Sequence, residues 1–556
     1  MPTANYCRDA QLSPRRQSSI SISLLIDSSP GGTSHGPYDD IVQGHHKKQK
    51  QRDIHVQGIS FGVVLAIVSI LTFRTDKRHS NAATISILSE DVLLEMFDIY
   101  RKDYDPPRRT PDLPEAIWSW HILVHVCQKW RKVVFASPRR LNLEIRCTHG
   151  TPVRKNLDIW PTFPIHIEYL NYMTIKDVDE DNIIAALEHP DRVNAVSLGL
   201  TGPQLAKMVA VMQEPFPTLR HLYLTTRIVS NDVPVLPSEF LGRSAPCLQK
   251  LGLYGIPFPA LPSLLLSASD LVSLEYFNIP QTGYVSPEAM VAGLAALTRL
   301  ENLNIGFRSP NSRPDQMRLT PATRSLLPAL TSFKFGGARE YLEDLVARIY
   351  APLLDTILID YFNQLVEFDV PELSRFISHS EHLKRATRCS LDFLPNYVSF
   401  TACPGHVLES PYEVPLYIYV HISCEGIDWQ ASHLTLVLSQ ISAMLPNTVH
   451  LLIDSGSTKP ELDDLDDIEW PQLLRPFSSV KTMVMCKEFA GIVSCALEHI
   501  SGAMATEILP ALDMLCLEDQ PVSSFDNFVA VRRDAGLPVT VVTTRSEFEE
   551  RVMSDS

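Results

Sequence analysis

At Leu219–Leu224 the chain reads LRHLYL. The same phrase, apolar-x-x-apolar-x-apolar, returns as LQKLGL at Leu248–Leu253, LEYFNI at Leu274–Ile279 and LENLNI at Leu300–Ile305. VNAVSL from Val193 precedes the series, and LTSFKF from Leu330 and LDTILI from Leu354 continue it. One match means little in a chain that is 45% hydrophobic. The spacing carries the argument: the starts fall 26, 29, 26, 26, 30 and 24 residues apart, the signature of a stacked repeat. The alternating end of each phrase suits a short strand with one buried face, and the residues between phrases leave room for a helix. Gln204–Met212, Pro287–Ala296 and Glu340–Tyr350 fit that slot. The expectation is an α/β fold in which strands ending near Leu198, Leu224, Leu253, Ile279, Ile305, Phe335 and Ile359 form one parallel, curved sheet in sequence order. A separate α/β sandwich would give a similar alternation.

Beyond Ile359 the rhythm loosens but persists. Strand candidates end near Phe393, Ile422 (LYIYVHI), Ile453 (VHLLI), Met485 (VKTMVM) and Leu517 (LDMLCL), 29 to 32 residues apart. The Asn or Cys that follows each strand in many leucine-rich repeats is absent, so longer and less regular units without an asparagine ladder are expected.

Ahead of the repeats lie two helical segments. In SILSEDVLLEMFDIY (Ser86–Tyr100), Ser89 is a capping residue, and Glu90 and Asp91 stand in the first turn, where the helix dipole favours negative charge. Val92, Leu93, Met96, Phe97 and Tyr100 fall on one face at helical spacing. After a proline-rich break (Asp103–Ala116), WHILVHVCQKWRKVVFASPRRLNLEI places Trp120, Leu123, Val124, Cys127, Trp130 and Val134 on one face, until Ser137-Pro138 stops the helix. Two such helices cannot bury both apolar faces against each other alone, so part of that surface calls for a partner.

This arrangement resembles an F-box, the module that docks a substrate receptor onto the Skp adaptor of a cullin-based ubiquitin ligase. The resemblance rests on Leu88, the run Asp91-Val92-Leu93-Leu94-Glu95-Met96-Phe97, His121, Val126-Cys127, Trp130-Arg131 and Ser137-Pro138. It is nearest to the F-box proteins of mushroom-forming fungi, and it extends into CEGIDWQ (Cys424–Gln430), EWPQLLRPFSSVKTM (Glu469–Met483) and FVAVRRDAGLPV (Phe528–Val539), so that it spans about 84–545. Two departures stand out: Ser89 follows Leu88 where the family has Leu-Pro, and the loop between the helices is long. The resemblance implies a small helical F-box over 84–145 and a curved leucine-rich-repeat-like solenoid with a parallel sheet over 146–545. A short tail, 546–556, follows. It further implies that Leu88, Val92, Leu93, Met96, Phe97, Leu123, Val126, Cys127 and Trp130 supply the adaptor-binding core and patch. Spacing leaves open which of them point outward.

The totals bound the function. The 556 residues carry a net charge of −15, which disfavours general nucleic-acid binding. Ten cysteines are scattered without a Cys-x-x-Cys pair, and no Asn-x-Ser/Thr sequon occurs. Both points favour a reducing, intracellular setting, cytoplasmic or nuclear. Residues 1–83 differ from the rest, with ten Lys/Arg against six Asp/Glu, and read as a mostly disordered tail. Its basic cluster His45–Arg52 has two readings, a nuclear-import signal or solvated tail. Within it Ile59–Phe73 is apolar but falls short of the about 20 residues that a membrane span needs. It reads as a locally packed helix, a membrane anchor, or non-functional sequence from an imperfect gene prediction, the anchor being the weaker reading.

Tests for chemistry return little. His121 and His125 have the i, i+4 spacing of zinc ligands, but Ile122 stands where a catalytic Glu belongs. LLIDSGST (Leu451–Thr458) has the look of an aspartic-protease signature without the second copy that chemistry requires, and reads as a strand-ending turn. Glu461–Glu469 (ELDDLDDIE) lacks the glycine turn of a calcium loop and reads as a solvated acidic loop. No phosphate loop, dinucleotide fingerprint or nucleophile elbow is present. The expectation is therefore a protein without catalytic residues, metal or cofactor. Its partners would be a Skp-type adaptor with its cullin complex and a protein substrate. An interaction scaffold with a degenerate F-box is the alternative.

Overall fold

The computed structural model describes residues 88–104, 119–138, 140–149, 153–170, 175–226, 233–309, 324–362, 369–405, 417–424, 427–454, 469–498, 507–517, 525–544, 547–548 and 550–551. The apolar run 59–73 and most of the acidic loop 461–469 lie outside them. The described residues divide into two compact units, one ending at Val133 and the other running from Val134. The sequence reading placed that boundary after 145.

The first unit is helical. Glu90–Tyr104 starts where expected: Ser89 Oγ accepts the Val92 N–H at 3.3 Å, with Glu90 and Asp91 in the first turn. The expected second helix is broken in two, Ser119–Val126 and Gln128–Ala136. Cys127 makes the break. Its Sγ accepts the Trp130 N–H at 3.5 Å, capping the second piece, and Arg131 Nε donates to the Val124 carbonyl at 2.9 Å. Leu93, Leu94, Phe97, Trp120, Leu123, Val124, Trp130 and Val133 are buried, and Phe97 meets Trp130 edge-on with centroids 4.9 Å apart.

The second unit is a mixed α/β structure built on one large sheet. Its strands are β1 (Ile145–Cys147), β2 (Ile165–Tyr169), β3 (Val193–Leu200), β4 (His221–Thr226), β5 (Lys250–Tyr254), β6 (Ser273–Ile279) and β7 (Asn302–Phe307). A short pair, β8 (Ser325–Leu326) and β10 (Ile349–Tyr350), forms a separate ladder beside β9 (Ser332–Gly337) and β11 (Thr356–Tyr361) in the chain. There follow β12 (Arg388–Leu394), β13 (Tyr397–Cys403), β14 (Ile418–Ser423), β15 (His450–Asp454), β16 (Thr482–Met485), β17 (Met514–Leu517) and β18 (Thr540–Val542). The sixteen strands of the large sheet run in the order β1 to β7, β9, β11, β14, β13, β12, β15, β16, β17, β18. From β3 to β11 every pairing is parallel and in sequence order, as the spacing predicts. Expected helices appear at Gly202–Val211, Pro287–Leu294 and Arg339–Ala347. The last stops short of Tyr350 because Ile349 and Tyr350 pair with β8.

Register shows what the repeated phrase does. Leu222, Leu251, Leu274, Leu303, Phe333 and Ile357 stand side by side on the buried face. Burying one such side chain is worth about 1.5–3 kcal/mol, so the column accounts for much of the cohesion between units. Leu274 thus takes the second apolar position of its unit; Leu271 takes the first, and the phrase LEYFNI is three residues out of phase. The cause is a bulge: Tyr276 pairs Ile305 and Ile279 pairs Phe307, so Phe277 and Asn278 together oppose Gly306. Asn278 has φ 54°, a left-handed conformation that asparagine tolerates.

Backbone hydrogen bonds tie successive units together at the start of their strands. The carbonyl just ahead of a strand accepts two successive N–H groups of the next unit: Arg220 from Gln249 and Lys250, Gln249 from Val272 and Ser273, Val272 from Glu301 and Asn302. Thr387, Val449 and Lys481 do the same further on.

A buried carboxyl group is among the side-chain links between units. Glu343, on the helix Arg339–Ala347, accepts the N–H groups of Glu372 (2.8 Å) and Leu373 (3.0 Å) on the next helix, Pro371–Ile377. Burial pushes its carboxyl up to about 7, against the lowering effect of those two donors. Folded Glu343 therefore keeps its proton up to about pH 7, whereas an unfolded carboxyl releases it near 4.5. Between those values the folded state binds more protons, so this contribution is full below 4.5 and is lost as the pH rises through 7. Melting curves of Glu343→Gln should lack the decline in stability between pH 5 and 7 that the parent shows, a difference of about 2–3 kcal/mol. Parallel pH profiles for the two proteins would refute the assignment.

Two features depart from the sequence reading at the C-terminal end. β12 and β13 form an antiparallel hairpin through Pro395-Asn396, and β13 (YVSFTAC) was not anticipated; it pairs β14, which sits beside β11 instead of following β12. Nor is the chain past 545 merely a tail. Phe548 is buried against Val484, Met514, Cys516 and Val542, on the outer face of the last strands.

Candidate functional site

The first unit separates the nine expected docking residues. Leu93, Phe97, Leu123 and Trp130 belong to its core. Val92 and Val126 point outward, 46% and 45% exposed, while Leu88, Met96 and Cys127 are partly buried. Ile99, half exposed, was missed. It stands seven residues after Val92, so Val92, Met96 and Ile99 make one stripe on the helix face away from Leu93 and Phe97. The helical face deduced from spacing was rotated, because Leu94, and not Val92, shares the inside with Leu93 and Phe97. His125 is exposed.

In the second unit the outer face of the sheet changes character along its length. Toward the front it is aromatic. The Tyr223 ring lies over Gly252 and the Phe277 ring over Gly306, where a Cβ would come within 2.4 and 2.3 Å of ring carbons. Glycine is what lets each ring lie flat against the sheet. Tyr254 stacks on Phe277 with centroids 5.8 Å apart.

Further along, one row crosses five strands: Asp360, His421, Ser399, Asp392 and Asp454 stand in register on β11, β14, β13, β12 and β15. His421 Nδ1 lies 2.6 Å from Asp360 Oδ1. Tyr397 packs against His421 at 4.4 Å and Tyr419 lies parallel to it at 6.5 Å. Ser390 and Ser399 donate to the two oxygens of Asp392 at 2.8 and 3.1 Å. Burial raises the Asp392 carboxyl, the two serines lower it, and the nearby Asp454 charge raises it again. Asp360, His421 and Ser399 are the ingredients of a nucleophile-activating triad. Ser399, however, gives its proton to Asp392, so His421 does not receive it in this arrangement.

Asp392 and His421 fall between apolar residues of their strands, Asp360 and Asp454 just after theirs, and Ser399 on the unanticipated β13, which is why the sequence reading did not bring them together. The signal that was available is the Pro-Asn turn between two strand-like runs, which creates the hairpin and so the row.

Other reactive groups are quiet. The Cys147 and Cys389 thiols are buried, which pushes each up to about 12, so both stay protonated near neutrality. Asp454 ends β15, and the rest of LLIDSGST, 455–458, lies outside the described residues. Among the described residues no group of three His, Cys, Asp or Glu could hold a metal ion, and no helix is long and apolar enough to cross a membrane. Comparison with protein-family models and with curated protein sequences gave no match.

Proposed function

We propose that the chain is the non-catalytic substrate-recognition subunit of a Skp–cullin–F-box ubiquitin ligase. The helical unit takes the adaptor, and the outer face of a leucine-rich-repeat-like solenoid takes a protein target. The observation that carries the docking half is the apolar stripe Val92, Met96 and Ile99, with Val92 and Ile99 about half exposed, on a helix whose Leu93, Leu94 and Phe97 are buried on the other side. A few central apolar residues dominate most interfaces, and an exposed row of this kind on a small module marks a partner site. Support for the solenoid half is the addition of strands in sequence order from β3 to β11 at a near-constant period. Ubiquitin transfer would be the work of the partner complex.

The test is reconstitution. Purified full-length chain mixed with a Skp-type adaptor should elute from a sizing column as a 1:1 complex. Separate elution of two intact proteins would remove the ligase reading and leave the scaffold reading.

A further inference from the structure

The outer sheet face carries two features that meet. The Cβ position of Gly336 lies 3.6 Å from the Phe277 ring and 3.9 Å from Asp360 Cβ, so the ring and the base of the Asp360 side chain flank one side-chain-free spot, with the half-exposed Asp360 carboxylate beyond it against His421 Nδ1. On one side the stacked rings Tyr254 and Phe277 lie flat, held there by Gly306 and the bulge in β6. On the other side begins the row that runs through His421 to Asp392 and Asp454.

A planar cation suits this junction. A guanidinium stacks on an aromatic face and at the same time offers paired N–H donors to a carboxylate at its edge. An ammonium lacks the plane, and a neutral amide lacks the charge. Strands repeat every 4.7–4.9 Å, so the row spans about 20 Å over five strands, room for an extended peptide of about six residues.

We infer that this face binds an extended, arginine-bearing segment of another protein, one guanidinium lying on Phe277 against Asp360 and further basic side chains meeting Asp392 and Asp454. The inference rests on the receptor reading only for the fate of the bound protein. Its chemistry stands on the sheet face.

The experiment uses fluorescein-labelled peptides, (Arg-Ser)4, (Lys-Ser)4 and (Gln-Ser)4, and the full-length chain without adaptor, read by anisotropy. The expected order is arginine tightest, lysine at least threefold weaker, glutamine unbound. Asp360→Asn should weaken the arginine peptide about tenfold. Phe277→Ala should remove the preference for arginine over lysine while leaving some binding of both. A control for net charge, Glu188→Gln with Glu214→Gln and Glu301→Gln, removes three exposed carboxylates from elsewhere, three times the charge that Asp360→Asn removes, and should change affinity less than twofold. If (Arg-Ser)4 fails to bind, binds no better than (Gln-Ser)4, or is weakened as much by the control as by Asp360→Asn, the inference is overturned. Because no adaptor is present, that result would leave the docking of the helical unit untouched.

Discussion

Arg532→Ala should cost more than 3 kcal/mol and loosen the C-terminal strands while leaving β3 to β7 intact. Arg532 is fully buried, and its guanidinium donates to three backbone carbonyls: Ile508 (3.2 Å), Pro510 (3.4 Å) and Leu512 (3.2 Å). Those carbonyls belong to the bend that feeds β17. Removing the donor strands acceptors away from water at about 1–3 kcal/mol each, and the packing of the side chain on Phe528 is lost as well. In a chain whose units touch mainly their neighbours the damage stays local. Hydrogen exchange should therefore accelerate in 507–517 and 540–542 and remain unchanged in 193–307. Arg532→Lys should recover only part of the loss, since an ammonium cannot span three separated carbonyls. Uniform acceleration along the whole chain, or none, would show that Arg532 does not hold this bend.

The second large effect separates two adjacent residues. Leu93→Asp places a carboxylate at a position with no exposed surface, in a module that has few other core residues. A loss of at least 4 kcal/mol is expected, enough to unfold the helical unit. Val92→Asp, one residue earlier and nearly half exposed, should change stability by about 0.5 kcal/mol or less. Exchange in 90–104 and 119–133 reads both. This contrast decides how docking can be probed: loss of adaptor binding by Leu93→Asp or Leu123→Asp reports an unfolded module, whereas loss by Val92→Asp reports the surface. A Ser89→Pro substitution would likewise act through folding, because Ser89 caps the helix and proline would remove the acceptor for the Val92 N–H.

Much of the architecture was legible because the stacked units repeat their apolar residues at a period that chance does not produce. Seven parallel strands followed from that alone. Phase was harder: the bulge at Phe277 and Asn278 adds an apolar residue at Ile279 and shifts the apparent start of its unit. The hairpin β12–β13 was hidden because its second strand breaks the period, and Phe548 because a single aromatic residue in a short terminal segment has no periodicity to betray it. The helical unit was recognised as a pair of amphipathic segments, but not its break at Cys127, where a side-chain sulfur does the work usually given to serine or aspartate. The polar row on the outer face was not legible. Apart from Asp392 and Ser399, which face each other across the hairpin, its members are far apart in sequence and become neighbours only through strand register.

The central claim is that the exposed stripe, not the buried core, meets the adaptor. Titration calorimetry of a Skp-type adaptor against Val92→Asp combined with Ile99→Asp tests it most directly, with melting curves to establish that the module stays folded. The account predicts parent-like melting and an affinity lowered at least a hundredfold, corresponding to about 2.7 kcal/mol. A folded double variant that binds the adaptor as tightly as the parent would contradict it.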